Sequence, residues 1–404
     1  AHTHRMAPLP ARLLSAALRL PRLHAYARCL STAPPKPLRL ALIAGDGTGH
    51  VTVPCAQKVL ASVELGERDI EFVPLDAGFE TFQRTGHALP ASTLQDLRGC
   101  DGALFGAVSS PLGFVEGYKS PIIAIRQELG LFASLRPLRG VAPSGARVDC
   151  LVVRENTEDL FASKERLEQG GEVAVVERTL TRAASRRIAE SAFHWARKRA
   201  SHRQQKEALD RSAGMLPRPP RPARVTIVHK ANVLSMSDGL FLETCREVSR
   251  LPENEGVQTD DMLVDIAAHE LVRCPDAFDV LLTPNLYGDI LSDVGAALVG
   301  GIHVVPTANT SDSFVLAHGS NIVTPASVDK SANPLATIRA GAVVLFLLHE
   351  TGPAMAIEKA VQATIEQGPF TPDMGGIATA EEVTRAVVKR AQYFQFMATM
   401  PGAE

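Results

Sequence analysis

The sequence predicts an α/β protein of two domains, and three features carry that expectation. Leu38-Arg-Leu-Ala-Leu-Ile-Ala reads as a buried strand that runs into a turn, Gly45-Asp-Gly-Thr-Gly49, followed by a helix from Val51 to Leu65. A strand entered through glycine recurs at Gly102–Phe105, and strands alternating with helices build α/β layers. A chain of 404 residues, 45% hydrophobic, exceeds what one domain of roughly 100–200 residues uses.

Along the chain, Pro121–Leu129 and Ala183–Arg199 read as helices, with a strand at Asp149–Val153 between them. Further strands are expected at Val225–Val228 and Val280–Thr283, and further helices at Asp238–Ser249 and Pro334–His349. Residues 200–224 differ in character, being polar and basic and then running through Pro217-Arg-Pro-Pro-Arg-Pro222. Without an apolar period they are expected to form an exposed or disordered insertion.

Composition excludes several classes. No run of about 18 apolar residues suggests a transmembrane helix. A net charge of −2 lacks the basic footprint of a nucleic-acid binder, and 5% aromatics with one Trp do not favour base stacking. That balance hides an asymmetry. No acid precedes Asp46, while Arg5, Arg12, Arg19, Arg22 and Arg28 alternate with leucines and are followed by Ser31 and Thr32. An Arg-rich, acid-free leader is the signature of a mitochondrial transit peptide, with Arg28-Cys29-Leu30 as the processing site; a basic surface helix or tail is the alternative. Loss of residues 1–30 would leave 37 basic against 44 acidic residues. The six cysteines form no Cys-x-x-Cys pair and suit buried thiols in a reducing compartment.

The glycine turn invites a dinucleotide reading, but its spacing is G-x-G-x-G and no acid closes a second strand about 20 residues on, so no Rossmann phosphate loop is assigned. The strongest chemical signal is Asn285-Leu-Tyr-Gly-Asp289-Ile-Leu-Ser-Asp293. Carboxylates at i and i+4 share one helix face and offer the oxygen ligands that Mg²⁺ prefers, although they also suit a helix dipole. Asp265 is a candidate third ligand. Arg126, Arg136 and Arg154 flank apolar segments, and guanidinium forks grip carboxylates in bidentate fashion. With a divalent-metal pair they point to a substrate bearing several carboxylates. Lys230 follows an apolar strand, where burial and neighbouring cations would suit it to proton transfer; a solvent-facing lysine is the alternative.

These residues converge on a known pattern. Gly45-Asp-Gly-Thr-Gly, Arg154-Glu-Asn-Thr-Glu-Asp-Leu, His229-Lys-Ala-Asn, Asn285-Leu-Tyr-Gly-Asp-Ile-Leu-Ser-Asp, His318-Gly-Ser and Asn333-Pro resemble the motifs of the metal-dependent β-decarboxylating dehydrogenases of isocitrate, 3-isopropylmalate and homoisocitrate. The resemblance runs from Leu38 to Ala391. Within the family, Gly117-Tyr-Lys-Ser-Pro-Ile-Ile-Ala-Ile-Arg126 and Glu158-Asp-Leu look most like the fungal homoisocitrate enzymes.

The resemblance implies an isocitrate/isopropylmalate dehydrogenase-like fold that binds NAD without a Rossmann domain. The large cofactor domain would comprise 38–136 plus 281–404, and 137–280 the small domain carrying the dimer contact. It implies a homodimer or higher homo-oligomer with shared active sites, in the mitochondrial matrix, with no nucleic-acid or membrane partner. Asp289, Asp293 and the partner subunit's Asp265 would hold Mg²⁺ or Mn²⁺. Arg126, Arg136, Arg154 and Ser110 would bind a small tricarboxylate. Lys230 would take part in proton transfer, and Val108, Ser109, Ser110, Asn232, His318, Gly319, Ser320 and Asn333 would contact the cofactor. The implied reaction oxidises and decarboxylates homoisocitrate to 2-oxoadipate in lysine biosynthesis by the aminoadipate route.

Two departures qualify this. Phe161 stands where the family has a tyrosine that protonates the enol, so the last step should be impaired unless water or Lys230 substitutes. The loop 315–330 is longer than the family's and lacks its glycines, leaving Asp329 as a substitute for the acid that favours NAD. A sibling activity on isocitrate or 3-isopropylmalate, or a regulatory subunit impaired through Phe161, are the alternatives.

Overall fold

The computed structural model describes residues 36–66, 68–109, 115–162, 164–212, 221–319 and 332–400. The expected leader, Ser110, Ser320, Asp329 and residues 213–220 lie outside the described residues.

The chain opens with β1 (Leu38–Gly45), α1 (Gly49–Leu60), β2 (Ile70–Leu75), α2 (Phe79–Thr85), α3 (Ala91–Arg98) and β3 (Gly102–Ala107). It continues through α4 (Pro121–Glu128), β4 (Ala133–Val141), β5 (Arg147–Glu155), a 3₁₀ turn at Asp159–Ala162 and a small hairpin of β6 (Glu165–Glu168) and β7 (Val173–Val176). Next come α5 (Arg182–Ser212), β8 (Arg224–His229), α6 (Ser237–Ser249), β9 (Gln258–Leu263), α7 (Val264–Arg273), β10 (Val280–Thr283) and α8 (Asn285–Leu298). The last elements are β11 (Thr307–Thr310), β12 (Val315–His318), α9 (Leu335–Leu347), α10 (Thr351–Gln367) and α11 (Ala380–Thr399).

Ten strands form one sheet in the order β2-β1-β3-β12-β11-β4-β5-β10-β8-β9. Both wings are parallel, while β12, β11, β4 and β5 pair antiparallel in the centre. Parallel strands covered on both faces need continuous apolar sequence, and β3 and β10 are buried at every position. Helix α9, apolar almost all round, packs on β3 and β12 and is itself covered by α1 and α10.

The Gly45–Gly49 turn is a packing joint. Gly45 has φ +74°, and a side chain there would meet the Ala107 carbonyl oxygen at 2.0 Å. Asp46, fully buried, spans the joint: its carboxylate accepts the N–H groups of Phe79 (2.8 Å), Glu80 (2.9 Å) and Ser109 (2.9 Å). Asp46→Ala would leave those donors without their acceptor. Hydrogen bonds to a charged group contribute about 1.5–3 kcal/mol each, so urea unfolding should show a loss of at least about 3 kcal/mol. A loss below about 1 kcal/mol would mean that water replaces the carboxylate.

One expectation is corrected. Residues 200–212 are not a loop: α5 continues to Ser212, and the β8 strand begins at Arg224. Arg, Gln, Lys, Glu, Ala and Leu are good helix formers without amphipathic order, so an absent apolar period does not exclude a helix. Ion pairs hold the turn near residue 200. Arg199 donates through Nε to Asp279 (2.9 Å), and Arg203 grips both oxygens of the same buried carboxylate (2.8 and 2.9 Å). Arg221, just before β8, donates to the Asp149 carbonyl (3.0 Å) and so closes the base of the insertion.

Candidate active site

The site grows from the strand ends at the middle of the sheet. Arg154 lies opposite Ser134 across the β4–β5 ladder, and Arg136 lies opposite Val152, so the two arginines are diagonal neighbours on one face. Beside them β10 ends at Thr283, and Pro284 turns the chain into α8. Gly288 lets that helix lie directly on Arg154, because a Cβ there would fall 2.2 Å from Thr283 Oγ1 and 2.7 Å from Arg154 Cβ.

Arg154, buried to 7% exposure, donates through Nε to Asn285 Oδ1 (2.8 Å) and through Nη1 to Asp289, and its guanidinium lies over the Phe161 ring at 4.8 Å. Arg136 donates to Asp293 Oδ1 (2.5 Å) and Ser292 Oγ (3.0 Å). The two aspartates thus share one helix face, each held by an arginine and each about half exposed. Arg126 approaches from α4; its Nε is buried and unpartnered among the described residues. Burial and the Arg154 charge push the Arg126 guanidinium down to about 10.

His318, at the end of β12, completes the cluster. Its Nδ1 faces the Gly319 carbonyl (2.8 Å), which makes Nδ1 the protonated nitrogen, while Nε2 is buried without a partner among the described residues. Burial, and then the charges of Arg126, Arg136 and Arg154, push its pKa down to about 3. The ring is therefore neutral in the native protein across the ordinary pH range. An unfolded histidine takes up a proton near 6.5, so folding stability is full above that pH and falls below it, by up to about 1.4 kcal/mol per pH unit. His318→Asn should flatten this dependence: urea unfolding at pH 7.5 and 5.0 should show a parent loss about 2 kcal/mol larger than the variant's. Equal losses would place a charged His318 in the folded protein.

Val108 and Ser109 follow β3, and His318 and Gly319 end β12, the parallel neighbour of β3. Four of the proposed cofactor residues are thus side by side at strand ends, where open α/β sheets bind ligands. A Cβ at Gly319 would lie 2.7 Å from Thr337 Oγ1, so only glycine lets the backbone pass this close to α9. The Asn333 side chain is committed to structure: Oδ1 accepts the Leu335 N–H at the start of α9 (3.0 Å), and Nδ2 donates to Asp373 (2.9 Å).

Lys230 leaves the end of β8 in the parallel wing beyond β10. Its Nζ is 2.5 Å from Asp265 Oδ1, on the first turn of α7. That contact holds the Asp265 carboxyl below the usual carboxylate range. Asn232, in the same turn, is exposed. Within one chain Asp265 does not join Asp289 and Asp293, and among the described residues no three His, Cys, Asp or Glu side chains come together as a metal cage. The oxygen-only pair on α8 nonetheless fits a hard divalent cation completed by a ligand from elsewhere.

Below the site is a buried group that sequence reasoning missed. Arg178 donates through Nε to Asp159 Oδ1 (2.6 Å) and through Nη1 to Asp238, both aspartates being fully buried. Tyr287 donates to Asp238 Oδ2 (3.0 Å), and burial pushes its hydroxyl up to about 12. Asp159 has φ +72°, an unusual conformation for a non-glycine residue and the local mark of this group.

A cluster of arginines around a carboxylate pair, beside strand ends that admit a close-packed backbone, defines an α/β enzyme for small polyanionic substrates. The sequence profile of the isocitrate/isopropylmalate dehydrogenases matches residues 39–215 and 200–387. The isocitrate/homoisocitrate dehydrogenase of Thermus thermophilus is 40% identical over 357 residues, covering 87% of this chain and 98% of that protein. The 3-isopropylmalate dehydrogenase of Methanothermobacter thermautotrophicus is 37% identical over 365 residues, covering 88% and 99%. The crystal structure of isocitrate dehydrogenase from Methylococcus capsulatus superposes with a TM-score of 0.73 at 32% identity, covering 88% of this chain and 99% of that one. The chain belongs to the isocitrate/isopropylmalate dehydrogenase family. Its members are NAD-dependent β-decarboxylating dehydrogenases that use Mg²⁺ or Mn²⁺ and act on small molecules, typically as homodimers.

Proposed function

We propose that this chain is an NAD-dependent homoisocitrate dehydrogenase that converts homoisocitrate to 2-oxoadipate in lysine biosynthesis by the aminoadipate route, in the mitochondrial matrix, as a homodimer with shared active sites. The observation that carries the reading is the convergence of Arg126, Arg136 and Arg154 on the Asp289–Asp293 face. Each acid proposed to hold metal is paired with a cation of the site: Asp289 with Arg154, Asp293 with Arg136 and Asp265 with Lys230. A divalent cation and a tricarboxylate entering together would exchange these partners and keep every charge matched. Similarity to an isocitrate/homoisocitrate enzyme supports the substrate, as does the segment from Gly117 to Arg126.

In this reading the three arginines hold the substrate carboxylates and His318, neutral, adds no further charge to the cofactor side. The partner subunit's Lys230, once it has let go of Asp265 and given up its own proton to solvent, would accept the proton of the 2-hydroxyl, directly or through water, as hydride leaves for NAD. A bound Mg²⁺ would lower the pKa of that hydroxyl and stabilise the electron pair left as CO₂ departs. Phe161 supports a second reading, a member of the family that binds ligands but turns over slowly, because its ring occupies the site without a proton to give.

The test supplies the purified protein and Mg²⁺ with homoisocitrate, isocitrate or 3-isopropylmalate, each with NAD⁺ or NADP⁺, while NAD(P)H and CO₂ are followed. Homoisocitrate with NAD⁺ should give the highest kcat/KM, abolished by a chelator. Preference for another acid would reassign the substrate, and no NAD(P)H from any pair would leave the regulatory reading.

A further inference from the structure

We infer that Tyr287 and Asp238 are positioning residues that tie Lys230 to the carboxylate helix α8, and so link the two active sites of a dimer. The inference rests on the shared-site reading above.

Asp238, in the first turn of α6, uses one oxygen for two donors: the Lys230 backbone N–H at 2.6 Å and the Tyr287 hydroxyl at 3.0 Å. Its other oxygen accepts from Arg178, whose guanidinium also lies 5.0 Å from the Tyr287 ring centroid. The turn that carries Lys230 is fixed on its remaining sides. His229 Nδ1 accepts the Ala231 N–H (3.1 Å), and the Lys230 carbonyl accepts the N–H groups of Val233 (3.0 Å) and Leu234 (2.9 Å). The Lys230 backbone therefore moves only if Asp238 moves.

Asp238 in turn is bound to α8. Tyr287 lies two residues before Asp289, and Asp159, the second carboxylate on Arg178, accepts the Leu286 N–H at 3.0 Å. One buried hub thus holds the first turn of the helix that presents Asp289 and Asp293 to one site, and the backbone of the lysine offered to the other. Buried carboxylates with every acceptor committed transmit displacement rather than absorb it.

Tyr287→Phe removes the hydroxyl and keeps the ring over Arg178. As a homodimer it should lose about tenfold in kcat with KM within about twofold, the pattern of a displaced reacting group, and its unfolding midpoint should move by only a few degrees. Unchanged kcat would overturn the proposal. Mixed dimers purified through two tags then locate the effect. With Tyr287→Phe and Lys230→Met in one chain and the parent sequence in the other, the working site uses the undisturbed lysine and should retain about half the parent activity. With the substitutions in opposite chains, the surviving site uses the displaced lysine and should fall about tenfold below that half. The reverse order would show that Tyr287 acts on its own helix, and equal activities that its effect does not follow the lysine of its own chain; either result would overturn the linkage. A separate pair, Lys230→Met with Asp289→Asn in the other chain, tests the underlying reading. Recovery of about half the parent activity supports shared sites, whereas no recovery overturns both the sharing and the linkage.

Discussion

Arg154→Gln should lower kcat/KM at least a hundredfold, the largest loss expected from any of the three arginines. Arg154 is the best-connected of the three arginines: Nε is spent on Asn285, Nη1 on Asp289, and the guanidinium face on Phe161. A substrate carboxylate must take the place of Asp289 on a fork that burial has already stripped of water, which lowers the guanidinium pKa although Asp289 offsets part of that cost. A hundredfold corresponds to about 2.7 kcal/mol, within the roughly 2–5 kcal/mol lost when one member of a buried charge pair is truncated. Arg154→Lys keeps the charge without the planar fork and cannot serve Asn285 and a carboxylate together, so it should recover only part of the loss. Steady-state kinetics at saturating Mg²⁺ and NAD⁺, beside unfolding midpoints for both variants, check this. A loss below about fivefold would make Arg154 a brace for α8 rather than a substrate ligand.

What the sequence disclosed and what it withheld divide along a physical line. Elements dominated by apolar composition were legible: Val280–Thr283 is a fully buried strand as its four residues suggest, and the helices expected at Pro121–Leu129, Asp238–Ser249 and Pro334–His349 keep both ends within two residues, while Val51–Leu65 stops at Leu60 and Ala183–Arg199 is the exception that runs past its expected C-terminus. That exception is instructive, because the polar continuation to Ser212 is anchored by Asp279, a partner some eighty residues on that no local pattern reveals. The Asp289–Asp293 pair was legible since both lie on one helix. Arg126, Arg136 and Arg154 were legible by residue type alone. Their partners were not, and Asp159, Arg178, Asp238 and Tyr287 are united only by the packing of α6, α8 and the turn after β5. The glycine turn shows the same limit. Its spacing gave no reason to assign a phosphate loop, but Asp46 as acceptor for three N–H groups follows from where α2 and the end of β3 are brought.

Phe161→Tyr should raise turnover by about tenfold or more, a gain at a position where most substitutions would cost activity. The Phe161 ring is already seated against the Arg154 guanidinium, so a hydroxyl is added to a placed group rather than to a mobile one. General acid catalysis is worth about 10²–10⁴ in rate, and a protein that relies on water for the last protonation forgoes most of it. The adjacent cation favours the ionised phenol and so brings the proton closer to the pH of the reaction. The pH profile separates this from a packing effect. A tyrosine acting as an acid is needed in its protonated form, so the variant's kcat should fall as pH rises through the phenol pKa, a limb that phenylalanine cannot produce. The time course of NADH formation before the steady state provides the second readout. If the enol step limits the parent, NADH should appear in a burst that the variant abolishes. An unchanged rate without a new alkaline limb would show that another group, with the partner subunit's Lys230 the first candidate, already supplies the proton.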